Sequence, residues 1–393
     1  MQRPQIAVVT PFIDKRHGTE RRVAECISRL ASDYEFHIYS SRVEDVDLRQ
    51  VVWHPIPKLP GPHLFGYFWW FAANHVWRWY DKSFRGLQPE IVYSPGINCL
   101  DADAISVHVI FARFRERMKG DLQLTRNPLR AWPRIVHRRL YYALIEALER
   151  RVYRRTGLSL AVVSKKIATD LQHYYTPNNG TKVVYGGLDF ERFSPERRAL
   201  LRNESRRALG LAPDDFAIAL VGNDWKNKGL PCLLEAVAHC ANARMRILAV
   251  GSDNPEMFQP AIARLGLGEQ VRFCPVRSDA EFYYSAADAY AGPSLEDAFA
   301  QPPAEAMACG LPVITSRNNG GAEIIRNGED GFVLDNPTDS LALSKLIQQL
   351  AKDPALRERV GKSASQTAHD YTWEKNAVEM RELFERARRA VRS

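Results

Sequence analysis

The chain has 393 residues, a formal net charge of +8 and an ordinary globular composition of 45% hydrophobic and 25% charged residues. Its length allows two domains with separate cores. The six cysteines include no C-x-x-C pair, which argues against a zinc cluster or a disulfide framework and fits a reducing compartment.

No apolar stretch reaches the roughly 20 residues that a membrane-spanning helix needs. The first residues, MQRPQIAVVTPF, lead directly into a strand pattern, so no signal peptide is expected. The first half then alternates short apolar runs with helical patterns such as ERRVAECISRLA (20–31). The runs are IAVVT (6–10), FHIYSS (36–41), EIVYSP (90–95), AISVHVI (104–110), LSLAVVS (158–164) and KVVYGG (182–187). This alternation predicts βαβ units and a parallel sheet.

Positive charge is concentrated in one part of this half. Residues 113–155 hold 13 Lys and Arg against 4 Asp and Glu, which accounts for the whole excess of the chain. An aromatic-rich stretch, 64–80, precedes them. Such a surface binds anionic lipid or a phosphorylated glycolipid, and the alternative is a solvated helix face beside ordinary core aromatics. No RNA or DNA module is recognisable, so we expect segment 64–155 to contact an anionic membrane surface and no nucleic acid.

A second series of strand patterns follows, with helical patterns at 228–241 and 279–289. Its runs are FAIALVGN (216–223), MRILAVGS (245–252), QVRFCPV (270–276), DAYAGPS (288–294) and LPVITS (311–316). Two successive series predict two doubly wound α/β domains, 1–188 and 189–370, and the helical tail 371–393 is expected to pack back toward the first. Ligands of open parallel sheets bind beyond the carboxyl ends of the strands, so the default site is a cleft between the domains.

The loop VGNDWKNKGL leaves a strand and enters a helix. It has Gly222 at the turn and Lys226 and Lys228 nearby. This arrangement suits a diphosphate, because backbone amides point at the anion and lysines neutralise it. Neither G-x-x-x-x-G-K-[ST] nor G-x-G-x-x-G is present, and an ordinary capped turn explains the pattern equally well.

The stretch GPSLEDAFAQPPAEAMACGLPV combines carboxylates with a helix start. The amides of Phe299, Ala300 and Gln301 can face an anion at the helix N-terminus. The carboxylates of Asp297 and Glu305 can accept hydrogen bonds from hydroxyls. Together these groups describe a site for a sugar nucleotide.

PSLEDAFAQPPAEAMACGLPVI resembles the E-x7-E segment of retaining glycosyltransferases of family 4, which have the GT-B fold. Further stretches fall in the order of that family: TPFIDKRHGTERR (10–22), VVYGGLDFERFSP (183–195), VGNDWKNKGL (221–230) and NNGGAEIIRNGEDGFVL (318–334). With QLTRNPLRAW (123–132), the chain is particularly similar to the bacterial lipopolysaccharide-core glucosyltransferases of the family. The resemblance implies two Rossmann-like domains facing each other across a cleft.

The resemblance also implies roles for the motif residues. In the family, the first acid binds hydroxyls of the transferred sugar and the second binds the ribose. These positions are Asp297, where Asp replaces the usual Glu, and Glu305. An Arg and a Lys usually hold the diphosphate. Asn223 stands at the Arg position, Lys228 matches the Lys, and Lys226 is expected to supply the other charge.

Three more residues belong to the expected site. His108, in AISVHVI, matches a family position near the sugar, although a lone His on an apolar strand is often a core residue. Gly18 would let the first loop approach donor and acceptor, or would simply serve a helix-entry turn. Val276, at the end of QVRFCPV, is assigned to donor binding. Asp101 and Asp103 form a D-x-D pattern that we interpret as structural, since GT-B enzymes need no metal in the site.

The resemblance implies a retaining hexosyltransferase. It would move a sugar from a nucleotide-diphosphate donor, with UDP-sugar favoured, to a glycolipid, lipopolysaccharide-core or polysaccharide acceptor, with no cofactor. His108, Asp297 and Lys228 are the expected catalytic residues. Front-face substitution is expected, because neither acid of the motif should reach the anomeric carbon as a glycosidase nucleophile does. The expected location is cytoplasmic, on the inner face of the membrane. The alternative is an inactive GT-B-fold binding subunit of a cell-envelope glycan assembly, suggested only by the departures at Asn223 and Asp297.

Overall fold

The computed structural model describes residues 3–59, 63–118, 123, 130, 132–176 and 181–392. Parts of the predicted basic segment, including most of QLTRNPLRAW, lie outside the described residues. The chain divides into two compact units, Met1–Gly187 with Trp373–Ser393, and Leu188–Thr372. Each unit contains one parallel sheet covered by helices.

The first unit has seven strands: β1 (Gln5–Val9), β2 (Glu35–Ser40), β3 (Val51–Pro55), β4 (Ile91–Pro95), β5 (Ala104–Val107), β6 (Ser159–Val162) and β7 (Thr181–Val183). All pairs are parallel, in the order β3-β2-β1-β4-β5-β6-β7. Its helices are α1 (Gly18–Leu30), α2 (His63–Phe84), α3 (Phe111–Arg117), α4 (Trp132–Tyr153), α5 (Lys165–Tyr175) and the C-terminal α13 (Trp373–Arg392).

Helix α13 packs on the sheet of the first unit. Its apolar residues recur at helical spacing and join the core formed by β1, β2, β4 and α1: Ala377, Met380, Leu383, Phe384 and Ala387. The Phe384 ring lies 5.7 Å from that of Tyr34 and 5.2 Å from that of Tyr93. The C-terminal segment therefore completes the core of the unit that contains the N-terminus.

The second unit has six strands: β8 (Phe216–Val221), β9 (Met245–Val250), β10 (Val271–Cys274), β11 (Ala289–Gly292), β12 (Val313–Ser316) and β13 (Phe332–Leu334). Their order is β10-β9-β8-β11-β12-β13, all parallel, which is the doubly wound Rossmann arrangement. The helices are α6 (Pro195–Ala208), α7 (Leu230–Cys240), α8 (Gln259–Leu265), α9 (Glu281–Ala286), α10 (Gln301–Ala308), α11 (Ser340–Lys352) and α12 (Pro354–Ala368). Short 3-10 helices cover Pro255–Met257 and Gly320–Ile324.

The fold class predicted from the sequence, α/β with two Rossmann-like doubly wound domains, is confirmed. Two strands were not predicted, and both lack a long apolar run. Strand β3 leaves Val52 and Trp53 exposed at the sheet edge, and β13 has only three residues. Most of the predicted strands end one to four residues earlier than predicted. As a result, His108 lies just beyond β5 and Val276 lies beyond β10.

Strand order positions the ligand sites of such sheets. The order reverses between β1 and β4 in the first unit, and between β8 and β11 in the second. The loops that follow two such strands diverge to opposite faces and leave a crevice at the carboxyl edge. In the second unit these are the predicted loops, the one after β8 and the one after β11. Within the described residues, no helix is both long enough and apolar enough to cross a bilayer.

Candidate functional site

The loops after β8 and β11 are bonded to each other. The Lys228 ammonium donates to Asp297 Oδ2 at 2.5 Å. The Asn227 amide donates to the Glu296 carbonyl at 2.7 Å, and the Leu295 N–H donates to the Asn227 carbonyl at 2.7 Å. The two loops are adjacent because β8 and β11 pair directly. The fold therefore brings together Lys228 and Asp297, which lie 69 positions apart in the sequence.

Glycines make this approach possible. Gly229 has φ +90°, and a Cβ there would lie 2.3 Å from the Pro293 carbonyl oxygen. Gly222 has φ +127°, and a Cβ there would lie 3.1 Å from Lys228 Cε. Both conformations are rarely adopted by residues with side chains. Gly222 thus lies against the aliphatic part of Lys228, which belongs to the same predicted loop.

The remainder of the β8 loop is bonded to the loop after β9. Asn223 Oδ1 accepts hydrogen bonds from the Ser252 N–H at 3.0 Å and from the Ser252 hydroxyl at 2.9 Å. The Asp253 carboxylate accepts from the N–H groups of Asp224 and Trp225. Asn223, at the usual Arg position, therefore forms internal hydrogen bonds. The predicted second cation, Lys226, is exposed and forms no ion pair with any residue that the structure describes.

Asn319 organises the other side of the site and was not predicted. Its Oδ1 accepts from the N–H groups of Ala300 at 3.1 Å and Gly321 at 2.9 Å. Its amide nitrogen donates to Thr315 Oγ1 at 3.2 Å. The Ala300 amide, predicted to face an anion, is thus bonded inside the protein. The signal was present in NNGG, because Asn before Gly commonly bonds the backbone two residues on.

Glu305 lies in α10 and is buried. The Tyr284 hydroxyl donates to Glu305 Oε2 at 2.9 Å. Burial, followed by the negative charges of Asp297 and Glu305, raises the pKa of Tyr290 well above its usual range. Tyr290, in β11, is therefore close enough to both acids of the predicted motif to sense their charge. The Tyr284 side chain that bonds Glu305 comes from α9, which the motif alone did not identify.

Helix α10 begins at Gln301, which is preceded by Ala300 at the N-cap without a side-chain cap. Prolines follow within the first turn, where a missing N–H costs nothing. Phe299 is buried immediately before the helix. The predicted helix start and the placement of the two acids on either side of it agree with the structure.

Val276 lies apart from this group within the second unit, and Gly18 belongs to the first unit. Val276 is 63% exposed, and β9 and β8 separate its strand from β11. Gly18 begins α1 in the first unit, and a Cβ there would meet no atom within 4 Å. The preceding loop is held by the buried Asp14 carboxylate, which accepts from the N–H groups of Arg16 and His17 at 3.0 Å.

His108 is also in the first unit, one residue beyond β5. Its Nε2 lies 3.1 Å from the Ser106 hydroxyl. Burial, followed by the positive charge of Arg22, lowers the pKa of His108 to about 3. The imidazole is therefore neutral at physiological pH.

The D-x-D pair has partners within the first unit. Arg78 donates to both oxygens of Asp101 at 2.7 and 2.8 Å, and the Val92 N–H donates to Asp103 Oδ2 at 2.8 Å. These contacts fix the segment between β4 and β5 to α2 and to β4, which agrees with the structural interpretation. Among the residues described, no three His, Cys, Asp or Glu side chains are grouped so as to hold a metal ion.

Comparison with known families covers most of the chain. Residues 16–192 match the family described as Glycosyltransferase Family 4. Residues 202–367 match the family described as Glycosyl transferases group 1. The first match contains Gly18 and His108, and the second contains the bonded loops and α10.

Curated relatives include the D-inositol 3-phosphate glycosyltransferases of Streptomyces bingchenggensis and Corynebacterium glutamicum. The chain is 31% identical to the first over 238 residues, covering 56% of this chain and 51% of the relative. It is 30% identical to the second over 238 residues, covering 57% and 56%. The chain thus spans about half the length of the curated relatives that it matches.

Solved structures resemble the whole chain. WaaG, a glycosyltransferase involved in lipopolysaccharide biosynthesis, has a TM-score of 0.77 at 19% identity, covering 95% of this chain and 98% of WaaG. HepE of Anabaena, in complex with UDP and glucose, has a TM-score of 0.71 at 18% identity, covering 97% and 99%. The fold of both units is therefore GT-B, and the chain contains a domain that matches Glycosyltransferase Family 4 followed by a domain that matches Glycosyl transferases group 1.

Proposed function

We propose that the protein is a retaining hexosyltransferase that uses a UDP-sugar. The observation that carries the proposal is the Lys228–Asp297 pair at the switch point of the second sheet, with the buried Glu305 eight residues further on. This arrangement supports the proposal because it combines one cation that suits a diphosphate with two carboxylates that suit hydroxyls. Such a set matches the three parts of a sugar nucleotide: sugar, diphosphate and ribose.

The ion pair bears on how a donor would bind. Lys228 and Asp297 are mostly buried and neutralise each other without a ligand. A diphosphate competes with Asp297 for the ammonium, and the released carboxylate then accepts a hydrogen bond from a sugar hydroxyl. Both side chains are held near their working positions beforehand, so little additional side-chain ordering is needed on binding.

We propose that the departing diphosphate is stabilised by Lys228, the exposed Lys226 and the N-terminus of α10. These positive groups replace a metal in this scheme, and no cofactor takes part. The acceptor hydroxyl attacks the anomeric carbon on the face that the diphosphate leaves, so the configuration is retained. Glu305 accepts from the ribose, and His108 contacts the transferred sugar.

The known relatives support parts of this proposal. HepE was solved with UDP and glucose, which favours a UDP-sugar as donor. WaaG acts in lipopolysaccharide biosynthesis, and the curated relatives are named for an inositol phosphate. We propose a glycolipid or lipopolysaccharide-core acceptor that carries phosphate. A soluble phosphorylated polyol is the competing acceptor.

The surface of the first unit favours the lipid-linked acceptor. Helices α2 and α4 meet at the rings of Tyr67 and Tyr141, which lie 5.9 Å apart. Along α2 many aromatic side chains are exposed, including Phe65 at 73% and Trp79 at 60%. The exposed Leu140 and neighbouring arginines lie on α4. Aromatic rings with basic groups suit the headgroup region of anionic membranes, so we propose attachment to the inner membrane face.

The first experiment measures binding and transfer with the full chain. Calorimetry with UDP-, GDP- and ADP-glucose identifies the donor, and release of free nucleotide in the presence of anionic glycolipid reports transfer. We expect Lys228→Met to weaken donor binding about 10- to 150-fold, which corresponds to one charged hydrogen bond. Asp297→Asn should reduce transfer more than binding, since its carboxylate contacts the sugar.

Matched controls are available in the same unit. Lys345→Met and Asp335→Asn change exposed residues on α11 and after β13, and both should leave binding unchanged. Tight donor binding without transfer to any acceptor would favour the inactive binding subunit, for which Asn223 and Asp297 are the motivating departures. Absence of binding by all three donors would contradict the proposed function.

A further inference from the structure

A chain of three polar side chains crosses the carboxyl edge of the first sheet. The Tyr93 hydroxyl, on β4, lies 2.8 Å from Ser106 Oγ on β5. Ser106 Oγ lies 3.1 Å from His108 Nε2. Ser106 and His108 are two positions apart and face the same side, as in a strand. Tyr93 and Ser106 are only 3% and 7% exposed, so their protons need partners within the protein.

The number of available protons determines which atom donates in each of these two hydrogen bonds. Within the described part of the protein, the Tyr93 hydroxyl has Ser106 as its hydrogen-bond partner and no other. If Ser106 donated to Tyr93, the Tyr93 proton would be buried without an acceptor among the residues that the structure describes. Tyr93 therefore donates to Ser106, and the Ser106 hydroxyl donates to His108 Nε2. An Nε2 that accepts carries no proton.

The surroundings keep the ring neutral. A small cavity of about 20 Å³ adjoins it, lined by groups from α1, β4, β5 and α13 that include Arg22, Cys26 and Asn376. Arg22 is cationic and disfavours a second positive charge on the ring. A neutral imidazole has one proton, and with Nε2 unprotonated that proton is on Nδ1. No described residue accepts a hydrogen bond from Nδ1.

We propose that Tyr93 and Ser106 are positioning residues that hold His108 in the Nδ1–H tautomer, so that His108 donates a hydrogen bond to an oxygen of the bound sugar. This inference rests on the proposed function. In that scheme His108 neither gains nor loses a proton. The acceptor hydroxyl loses its proton to an oxygen of the departing diphosphate as its own oxygen bonds to the anomeric carbon and the bond from that carbon to the diphosphate breaks.

Nuclear magnetic resonance of the full chain labelled with ¹⁵N-histidine tests the tautomer without requiring activity. The signal of His108 is assigned by its loss in His108→Asn. We expect a protonated Nδ1 and an unprotonated Nε2 in the wild type. Ser106→Ala and Tyr93→Phe should move the signal toward the Nε2–H form. Ser159→Ala alters a buried serine on the neighbouring β6 and should leave it unchanged. A protonated Nε2 in the wild type would overturn the proposal.

Two substitutions of His108 test the role of the donated proton. The amide nitrogen of Asn occupies the place of Nδ1, and that of Gln the place of Nε2. We expect His108→Asn to keep kcat/KM about tenfold above His108→Gln, and Ser106→Ala to lower it roughly three- to tenfold, within the range of one hydrogen bond. Equal losses in the two His108 variants would contradict the donor role. A wild type without transfer activity would instead refute the proposed function, while the tautomer would still be decided by resonance.

Discussion

The carboxyl edges of the two sheets share a topology but differ in how they are held together. In the second unit, the loops after β8, β9, β11 and β12 bond to one another through charged and amide side chains such as Lys228, Asn223 and Asn319. In the first unit, Arg42 after β2 donates to the buried Asp14 carboxylate after β1, so two loops are joined by charge there as well. The ends of β4 and β5, by contrast, are linked through Tyr93, Ser106 and the neutral ring of His108. The helix that follows β1 begins with an unconstrained glycine, Gly18.

This difference shows that strand order decides where a site lies but not its chemistry. Loops joined by an ion pair suit an anionic ligand, because the ligand can replace the carboxylate and bind the cation. The ends of β4 and β5, with buried hydroxyls and a neutral imidazole, suit directed hydrogen bonds to uncharged oxygens. The following predictions test whether the loops of the second unit are as constrained, and those of the first as tolerant, as this comparison implies.

The largest effect is expected for Gly229→Ala. The added Cβ would meet the Pro293 carbonyl oxygen at 2.3 Å, and the backbone has φ +90°. We expect the free energy of unfolding to fall by at least about 3 kcal/mol, since strain and backbone displacement act together. Urea denaturation measures the loss. Gly268→Ala, an exposed glycine of the same unit with open space around it, is the control. Equal stabilities of the two variants would contradict a constrained loop.

Asn319→Ala should come next. It leaves the N–H groups of Ala300 and Gly321 buried without their acceptor. We expect a loss of about 2 kcal/mol in the free energy of unfolding. Asn319→Asp keeps the accepting oxygen and should recover most of that stability. If Asp were no better than Ala, the bond to Thr315 rather than the two backbone bonds would carry the effect.

The neutral His108 of the first unit predicts a loss of stability in acid. The pKa of His108 is lowered to about 3, so below an unfolded-state value of roughly 6.5 only the unfolded chain takes up the proton. Stability therefore falls as pH decreases from about 6.5 toward 3, by at most about 1.4 kcal/mol per pH unit for this group.

Burial also lowers the pKa values of His37 and His54, so these two histidines add to the loss of stability in acid. Denaturation at several pH values should show a shallower decline in His108→Asn than in the wild type. Parallel declines would mean that His108 does not contribute.

Membrane attachment should respond moderately to changes on α2. Replacing the exposed Phe65 and Trp79 by Ser should weaken binding to anionic vesicles several-fold while leaving the fold intact, because both rings are mostly in solvent. Co-sedimentation with vesicles containing phosphatidylglycerol, compared with phosphatidylcholine alone, measures the effect. The control is Leu200→Ser, which changes an exposed side chain of the second unit. Unchanged binding would remove α2 from the proposed surface.

The smallest effect is expected for Gly18→Ala. Open space surrounds the added methyl group, and alanine favours the helix that begins there. We expect a change in the free energy of unfolding below about 0.5 kcal/mol. A marked loss of donor binding with unchanged stability would show that a ligand needs this space, as the sequence resemblance implies.

Much of the candidate site could be predicted, because its residues form short patterns within continuous stretches of the sequence. The spacing of Asp297 and Glu305, the helix start between them and the glycine–lysine loop are all readable within short stretches. The strands that carry them are continuous apolar runs, as strands buried on both faces must be. Half-exposed β3 and the short β13 lack that signal, and so they were not predicted.

The amino-acid sequence by itself determined the fold class, the family and the positions of the motif residues, because each depends on periodicity and spacing along the chain. Only the tertiary structure decided which partners these residues have. The pairing of Lys228 with Asp297, the bonds of Asn319 to the Ala300 loop and the hydrogen bond of Tyr93 to Ser106 each join two different strands or loops. Such contacts arise from strand order and burial, and a buried polar group takes whichever partner the neighbouring strand or loop supplies.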